Sequence, residues 1–245
     1  MTPALELVGA VRAYGSVQAL AGLSLAVNPS EIHAIVGLNG AGKTTLMKAA
    51  VGHTRLDSGA VRLFDRKRPG PSEHARLGFV IDQPFGYPEL SVRANIMHAA
   101  RLRGLSADPA RAAADTWTTR LELSRWADRR ARGLSLGNRQ RLGLACAAAH
   151  EPDLLILDEP TNALDPAGVM LLRDVLVAAA GRGAGVLVSS HHLDEVSRIA
   201  HRITVVHAGR VVGSLEPGRT DLEREFFAMV RDWDATHPSD VEARA

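Results

Sequence analysis

The chain of 245 residues is 46 % apolar with a formal net charge of +2; it can bury a full core in one large domain, or in a core with a smaller lobe, and is too weakly charged to argue for nucleic acid. Its single cysteine, Cys146, excludes a disulfide scaffold, suits a reducing cytoplasm and, within Leu144-Ala145-Cys146-Ala147, fits a small buried helix residue. With no run of about eighteen apolar residues, and no basic region followed by an apolar core at Met1-Thr2-Pro3-Ala4-Leu5-Glu6, the chain is expected to be neither exported nor membrane-spanning.

In chain order, β-type patterning predicts strands at 5–9, 23–27, 32–36, 60–64, 77–81, 154–157, 186–190, 203–207 and 210–215. Their alternation with helical patterns predicts an α/β fold with a mainly parallel sheet. The short strands near the N-terminus and the Gly209-Arg210 turn add a small antiparallel β layer. Between about 88 and 150 the strand signal gives way to Ala, Arg and Leu at helical spacing, such as Ile96, Ala99, Ala100, Leu102 and Arg103. This interval is expected to be an inserted helical lobe, with the core at 1–87 and 151–233. Its basic cluster 125–132 is read as a solvated helix face. Residues 234–245 have little to bury and are expected to fray.

The strand at 32–36 runs directly into Gly37-Leu38-Asn39-Gly40-Ala41-Gly42-Lys43-Thr44-Thr45, and a helix-like stretch follows at once. Glycines let the backbone fold back so that successive N–H groups converge, and they let a phosphate approach closely. The positive end of the following helix adds to this cup. Lys43 can reach β- and γ-phosphate oxygens, and the Thr44 hydroxyl can coordinate Mg²⁺. Gly37, Asn39, Gly40, Ala41, Gly42, Lys43, Thr44 and Thr45 are therefore the candidate phosphate-binding residues.

The apolar strand Leu154-Leu155-Ile156-Leu157 ends in Asp158-Glu159, at the carboxyl end where parallel sheets bind ligands. Asp158 can hold Mg²⁺, directly or through water, while Glu159 can orient the water that attacks a γ-phosphate. A second buried strand, Val186-Leu187-Val188-Ser189-Ser190, delivers His191 to the same edge, where a neutral imidazole could bond the γ-phosphate or the water. His192 points elsewhere if the strand continues.

With these residues in place the chain resembles the ATP-binding cassette (ABC) family over nearly its whole length. The resemblance rests on Tyr14-Gly15, the glycine loop 37–45, Leu134-Ser135-Leu136-Gly137-Asn138-Arg139-Gln140-Arg141, Leu154 to Pro160, Thr161-Asn162-Ala163-Leu164-Asp165 and Ser190-His191, in that order. It implies a P-loop NTPase core over one domain, residues 1–233, with ATP and Mg²⁺ bound. It also implies that Tyr14 stacks on adenine and that two copies pair head to tail as a homodimer. ATP would then lie between the P-loop of one copy and Ser135, Gly137, Asn138 and Asp165 of the other. Ser135 is a good helix N-cap, and with Gly137 it exposes donors at a positive helix end.

Two departures stand out. The family's usual Leu-Ser-Gly-Gly-Gln is here Leu-Ser-Leu-Gly-Asn, with Leu136 and Asn138 the replacements. The lobe-linking glutamine position falls on Asp82, with Gln83 one residue later, which makes Asp82 a further metal-side candidate. Both departures resemble the bacitracin-resistance and multidrug exporter branch. The implied function is the ATPase subunit of an exporter, at the cytoplasmic face of the membrane through a separate permease. An import ATPase, a soluble non-transport ATPase and a nucleotide-gated module without turnover are the alternatives; the presence of Glu159 speaks against the last. Phe85, Tyr87 and Pro88, beside Gly86, offer apolar anchors for the permease.

Overall fold

The computed structural model describes residues 2–67, 69–84, 86–191 and 193–237; Phe85, His192 and the tail beyond His237 lie outside them. The strands are β1 (Leu5–Tyr14), β2 (Val17–Val27), β3 (Ile32–Val36), β4 (Ser58–Leu63), β5 (Leu77–Val80), β6 (Leu154–Leu157), β7 (Gly185–Ser190), β8 (Arg202–His207) and β9 (Arg210–Leu215). They form a three-stranded antiparallel sheet, β2-β1-β4, and a six-stranded sheet, β5-β6-β7-β3-β8-β9. In the larger sheet only β9 is antiparallel. It turns back from β8 through Ala208 and Gly209, both at positive φ, the signature of a tight hairpin turn.

Every predicted strand is present, and the mixed α/β architecture is the one expected. β1 and β2 run longer than 5–9 and 23–27, because their outer halves lack clean alternation. The ladder between them shifts register between Leu7 and Ala10, again at Val11, and again between Arg12 and Ala13. Such bulges scramble the period of two that patterning relies on.

The buried strands explain the apolar runs. In β3, Ile32, Ala34 and Val36 face one core, and Ile35 faces the other. Leu155 and Leu157 likewise face opposite to Leu154 and Ile156 in β6. One core lies between the large sheet and the small sheet, and takes Leu46 and Met47 from α1 (Lys43–Ala50). The second core is covered by helices, including α6 (Pro166–Gly181) and α8 (Leu222–Thr236).

Among the described residues the interval 88–150 contains no strand. After the short α2 (Pro71–Ala75) come α3 (Val92–Leu102), α4 (Ala107–Arg120) and α5 (Leu136–Ala148). The C-terminal half of α5 presses on β5: a Cβ on Gly78 would lie 2.0 Å from the Ala147 carbonyl oxygen, and one on Gly143 would lie 2.4 Å from Pro84 Cβ. The lobe and the sheet therefore share one continuous core.

The basic cluster 125–132 departs from expectation. It is not a helix face but falls in two 3₁₀ turns, Ser124–Trp126 and Ala131–Gly133, and the stretch between them. Much of its backbone pairs outward. Ala127 and Arg129 carbonyls accept from Arg93 and Val92 N–H, while Ala131 and Arg132 N–H donate to Leu90 and Pro88 carbonyls. Tertiary pairing has overridden local helix propensity. The arginines remain exposed while Ala127 and Ala131 are buried.

Cys146 is buried as expected, and burial pushes its thiol up to about 12. His150, whose Nε2 lies 3.0 Å from the Leu77 carbonyl oxygen, is held down to about 4 by burial and then by the charge of Arg103. The unfolded chain therefore binds a proton near pH 6.5 that the native state refuses. The stability contributed by neutral His150 is complete above that value and is lost as pH falls from about 6.5 toward 4. At pH 5 this amounts to about 2 kcal/mol. We predict that Tm drops by several degrees between pH 7 and pH 5, and that His150→Gln, which keeps a donor toward Leu77, shows a shallower drop. Calorimetry across that range checks it.

Candidate functional site

The glycine loop joins β3 to α1, wedged between neighbouring backbones. A Cβ on Gly37 would lie 2.2 Å from the Val206 carbonyl oxygen, and one on Gly42 would lie 2.4 Å from that of Ala19. Gly42 also sits at φ +105°, where only glycine is unstrained. Gly209 N–H donates to the Ala41 carbonyl at 2.9 Å, so the β8–β9 turn pins the loop from outside.

Lys43 is buried, and its Nζ donates to the Gly37 carbonyl at 2.7 Å. The same nitrogen lies 3.4 Å from Glu159 Oε1. Thr44 Oγ1 donates to Asp158 Oδ2 at 2.7 Å. The parallel register that pairs Leu157 with Val188 sets Ser189 beside Asp158. The Ser189 hydroxyl donates to Asp158 Oδ1 at 2.6 Å and accepts the Glu159 N–H at 2.8 Å. Glu159 adopts φ +45°, a conformation costing on the order of 1–3 kcal/mol for a non-glycine residue. Its Oε2 lies 2.7 Å from His191 Nδ1, which places the imidazole proton on Nδ1 and makes Nε2 the acceptor in the neutral ring. Thr44, Asp158, Glu159 and His191 are thus brought into one hydrogen-bonded set, with Lys43 ion-paired to Glu159.

A cavity of about 270 Å³ adjoins this set, lined by Thr44, Asp82, Gln140, Asp158, Glu159 and Asn162 among others. Asp82 reaches it through a tight turn. Gln83 N–H donates to the Ile81 carbonyl at 2.9 Å with Asp82 at φ +62°, the rare γ-turn form. The Asp82 carboxylate lies 2.8 Å from Lys48 Nζ, and Gln83 is not part of the lining. Among the described residues no group of three or more His, Cys, Asp or Glu is placed to hold a metal. Thr44 and Asp158 alone fit a hard cation that draws its other ligands from phosphate and water, as Mg²⁺ does.

Tyr14 ends β1 half-exposed, with the Arg12 guanidinium 4.6 Å from its ring centroid and its hydroxyl 3.3 Å from Thr54 Oγ1. Arg12 is itself anchored by Asp57 at 2.9 Å. Tyr87 is exposed, and its N–H donates to Asn95 Oδ1 at 2.6 Å.

Ser135, Gly137, Asn138 and Asp165 lie together in a second cavity of about 760 Å³ that shares no lining residue with the first. Ser135 Oγ caps α5 by accepting from Asn138 N–H at 3.3 Å. A Cβ on Gly137 would come within 2.8 Å of the Ala163 carbonyl oxygen. Asp165 caps α6 through Gly168 N–H and accepts from Arg141 at 2.7 Å. Those two contacts hold its carboxyl below the usual range, the Gly168 bond most of all.

Sequence reasoning gave no role to Ser189, Gln140, Asn162 or Arg141. The available signal for Ser189 was a pair of hydroxyls, Ser189 and Ser190, ending a buried strand one register step from an acidic strand end.

A glycine loop, an acidic strand end and a histidine on the carboxyl edge of a parallel sheet define a P-loop nucleotide hydrolase. The family model described as ABC transporter matches residues 20–162. The chain is 37 % identical over 207 residues to the Nod factor export ATP-binding protein I of Burkholderia thailandensis, covering 84 % of this chain and 68 % of that protein. It is also 37 % identical over 211 residues to a daunorubicin resistance ATP-binding protein of Streptomyces coeruleorubidus, covering 85 % and 67 %. A ribose import ATP-binding protein of Streptomyces avermitilis is 35 % identical over 253 residues, covering 99 % of this chain and 50 % of that protein. Among solved structures, an ATP-binding subunit of an ABC transporter superposes with TM-score 0.81 at 28 % identity, covering 92 % of this chain and 94 % of that one. A dimeric bacterial ABC transporter cassette matches in fold, with TM-score 0.80 at 23 % identity, covering 88 % and 100 %. The chain belongs to the ABC transporter family and is an ABC ATPase.

Ser189 holds the Asp158 carboxylate directly and Glu159 through its backbone N–H. Ser189→Ala is expected to lower kcat for ATP hydrolysis by about 10- to 100-fold, the usual cost of losing a partner that orients a metal or catalytic ligand. ATP affinity should change only a few-fold. Steady-state kinetics with nucleotide titration checks the split.

Proposed function

We propose that this chain is the ATP-binding and ATP-hydrolysing subunit of an exporter, that two copies pair around ATP, and that the pair drives a separate membrane permease. The supporting observation is the separation of the two half-sites. Thr44, Asp158 and Glu159, the last paired with Lys43, line one cavity, while Ser135 and Gly137, with their helix-end donors, line another. A nucleotide held by the glycine loop meets Ser135 and Gly137 when a second copy supplies them. Export is favoured by the Nod factor and daunorubicin relatives; the ribose import relative supports the second reading, an import ATPase. Among the described residues no helix is long and apolar enough to cross a membrane, so a place at the cytoplasmic face would come through the permease.

In this reading Lys43 and the loop N–H groups hold the β- and γ-phosphates, and Tyr14 stacks on adenine by the face opposite Arg12. Thr44 and Asp158 hold Mg²⁺, which neutralises phosphate charge when bound. Glu159 orients the attacking water, and His191, fixed by the same carboxylate, meets the γ-phosphate. Asp82, rather than Gln83, carries the lobe-linking role, since it lines the metal-side cavity. Tyr87, exposed on the loop that follows, offers the permease an apolar anchor.

Glu159→Gln is expected to remove at least about 99 % of turnover, the scale of losing a general base, while retaining ATP. Lys43→Ala should lose binding as well as rate. Sedimentation of Glu159→Gln should show a dimer only with ATP. Wild-type hydrolysis by Glu159→Gln, or an ATP-independent dimer, contradicts the proposal. Copurification with a multispanning subunit tests the transport assignment.

A further inference from the structure

The cavity at the N-terminus of α5 holds two arginines with different surroundings. Arg141, nearly buried, is occupied on both sides: one nitrogen lies 3.2 Å from Glu122 Oε2 and another 2.7 Å from Asp165 Oδ1. Its charge is matched by carboxylates that also line the cavity. Arg125 lines the same cavity and has no carboxylate within ion-pair distance among the described residues. Its guanidinium lies 3.7 Å from the centroid of the Trp126 ring. Trp126 is half-buried against the lobe's core and carried on a 3₁₀ turn whose neighbours are fixed by backbone bonds to α3. The stack therefore presents a charged, planar donor group on a rigid base, at low entropic cost per hydrogen bond formed.

The lining carries two carboxylates, Glu122 and Asp165, and two arginines, so its formal charges balance. Both carboxylates are engaged by Arg141, which leaves Arg125 as the lining cation without an ion pair among the described residues, beside the N–H groups that open α5. The lining carboxylates already face Arg141, and a polyphosphate suits both the free guanidinium fork and the helix end.

We propose that Arg125, braced on Trp126, contacts the phosphate chain of the ATP that the partner copy delivers to this cavity, and so acts as a positioning residue for the composite site. The inference rests on the two-copy reading given above. Its reach differs from that of Ser135 and Gly137: those groups act from the helix end, while Arg125 acts from the 3₁₀ turn Ser124–Trp126.

The test measures ATP-driven dimerisation by sedimentation in the Glu159→Gln background over a range of salt. Arg125→Met keeps an apolar cover on Trp126 but removes the charge, and is expected to raise the dimer dissociation constant about tenfold and to flatten its salt dependence, as loss of one charge-assisted contact would. Arg125→Lys keeps the charge but loses the planar fork and its stacking, and should weaken the dimer less than Arg125→Met does while keeping the salt dependence. ATP affinity of the isolated chain, measured far below the dimerisation range, should be unchanged by both. An Arg125→Met protein that dimerises like its parent overturns the inference while the two-copy reading stands. A parent that fails to dimerise with ATP overturns both, and loss of ATP binding by the isolated Arg125→Met chain makes the effect structural and also overturns the inference.

Discussion

One buried hydroxyl sets the direction of the catalytic edge. Ser189 Oγ joins Asp158 Oδ1 to the Glu159 N–H, and it does so only because β6 and β7 run parallel with Leu157 opposite Val188. Two adjacent carboxylates at a strand end would otherwise repel and find their own partners. Here the bond to Ser189 and the positive φ at Glu159 send Asp158 toward Thr44 and Glu159 toward Lys43 and His191. The proposed division of labour between a metal-side carboxylate and a water-side carboxylate rests on that geometry.

The remaining architecture holds this edge still. Backbone contacts too close for a side chain at Gly37 and Gly42 lock the glycine loop to β8 and β2, so loop and strand ends move as one body. The lobe is tied to the same body through α5, where Gly78 and Gly143 allow direct backbone approach. Its other end carries Ser135 and the second cavity. Helix α5 therefore joins the glycine-loop side of the core to a second cavity that shares no lining residue with the first. That arrangement suits a protein whose two half-sites meet only on association.

Much of this was legible in the sequence for identifiable reasons. Strands β3, β6 and β7 announce themselves because burial on both faces demands uninterrupted apolar runs. The glycine loop is legible because its close approaches tolerate few other residues. What escaped was set by long-range register. The role of Ser189 depends on a strand thirty residues away, and the Arg141 pairing depends on Glu122 and Asp165 arriving from two other elements. The segment 125–132 misled because its backbone bonds go to 88–93, information that composition does not carry. The later half of β1 and the early half of β2, which pair with each other, escaped because bulges broke their alternation.

The central claim is that each ATP is shared by the glycine loop of one copy and the Ser135 helix end of another. Its most direct test mixes two variants in the Glu159→Gln background, one also carrying Lys43→Ala and the other Ser135→Arg. Neither alone can assemble a complete site. Together they can assemble one, so sedimentation with bound-nucleotide counting should show an ATP-dependent heterodimer holding one ATP, absent from either variant alone. A mixture that behaves as the sum of its separate components would contradict the account.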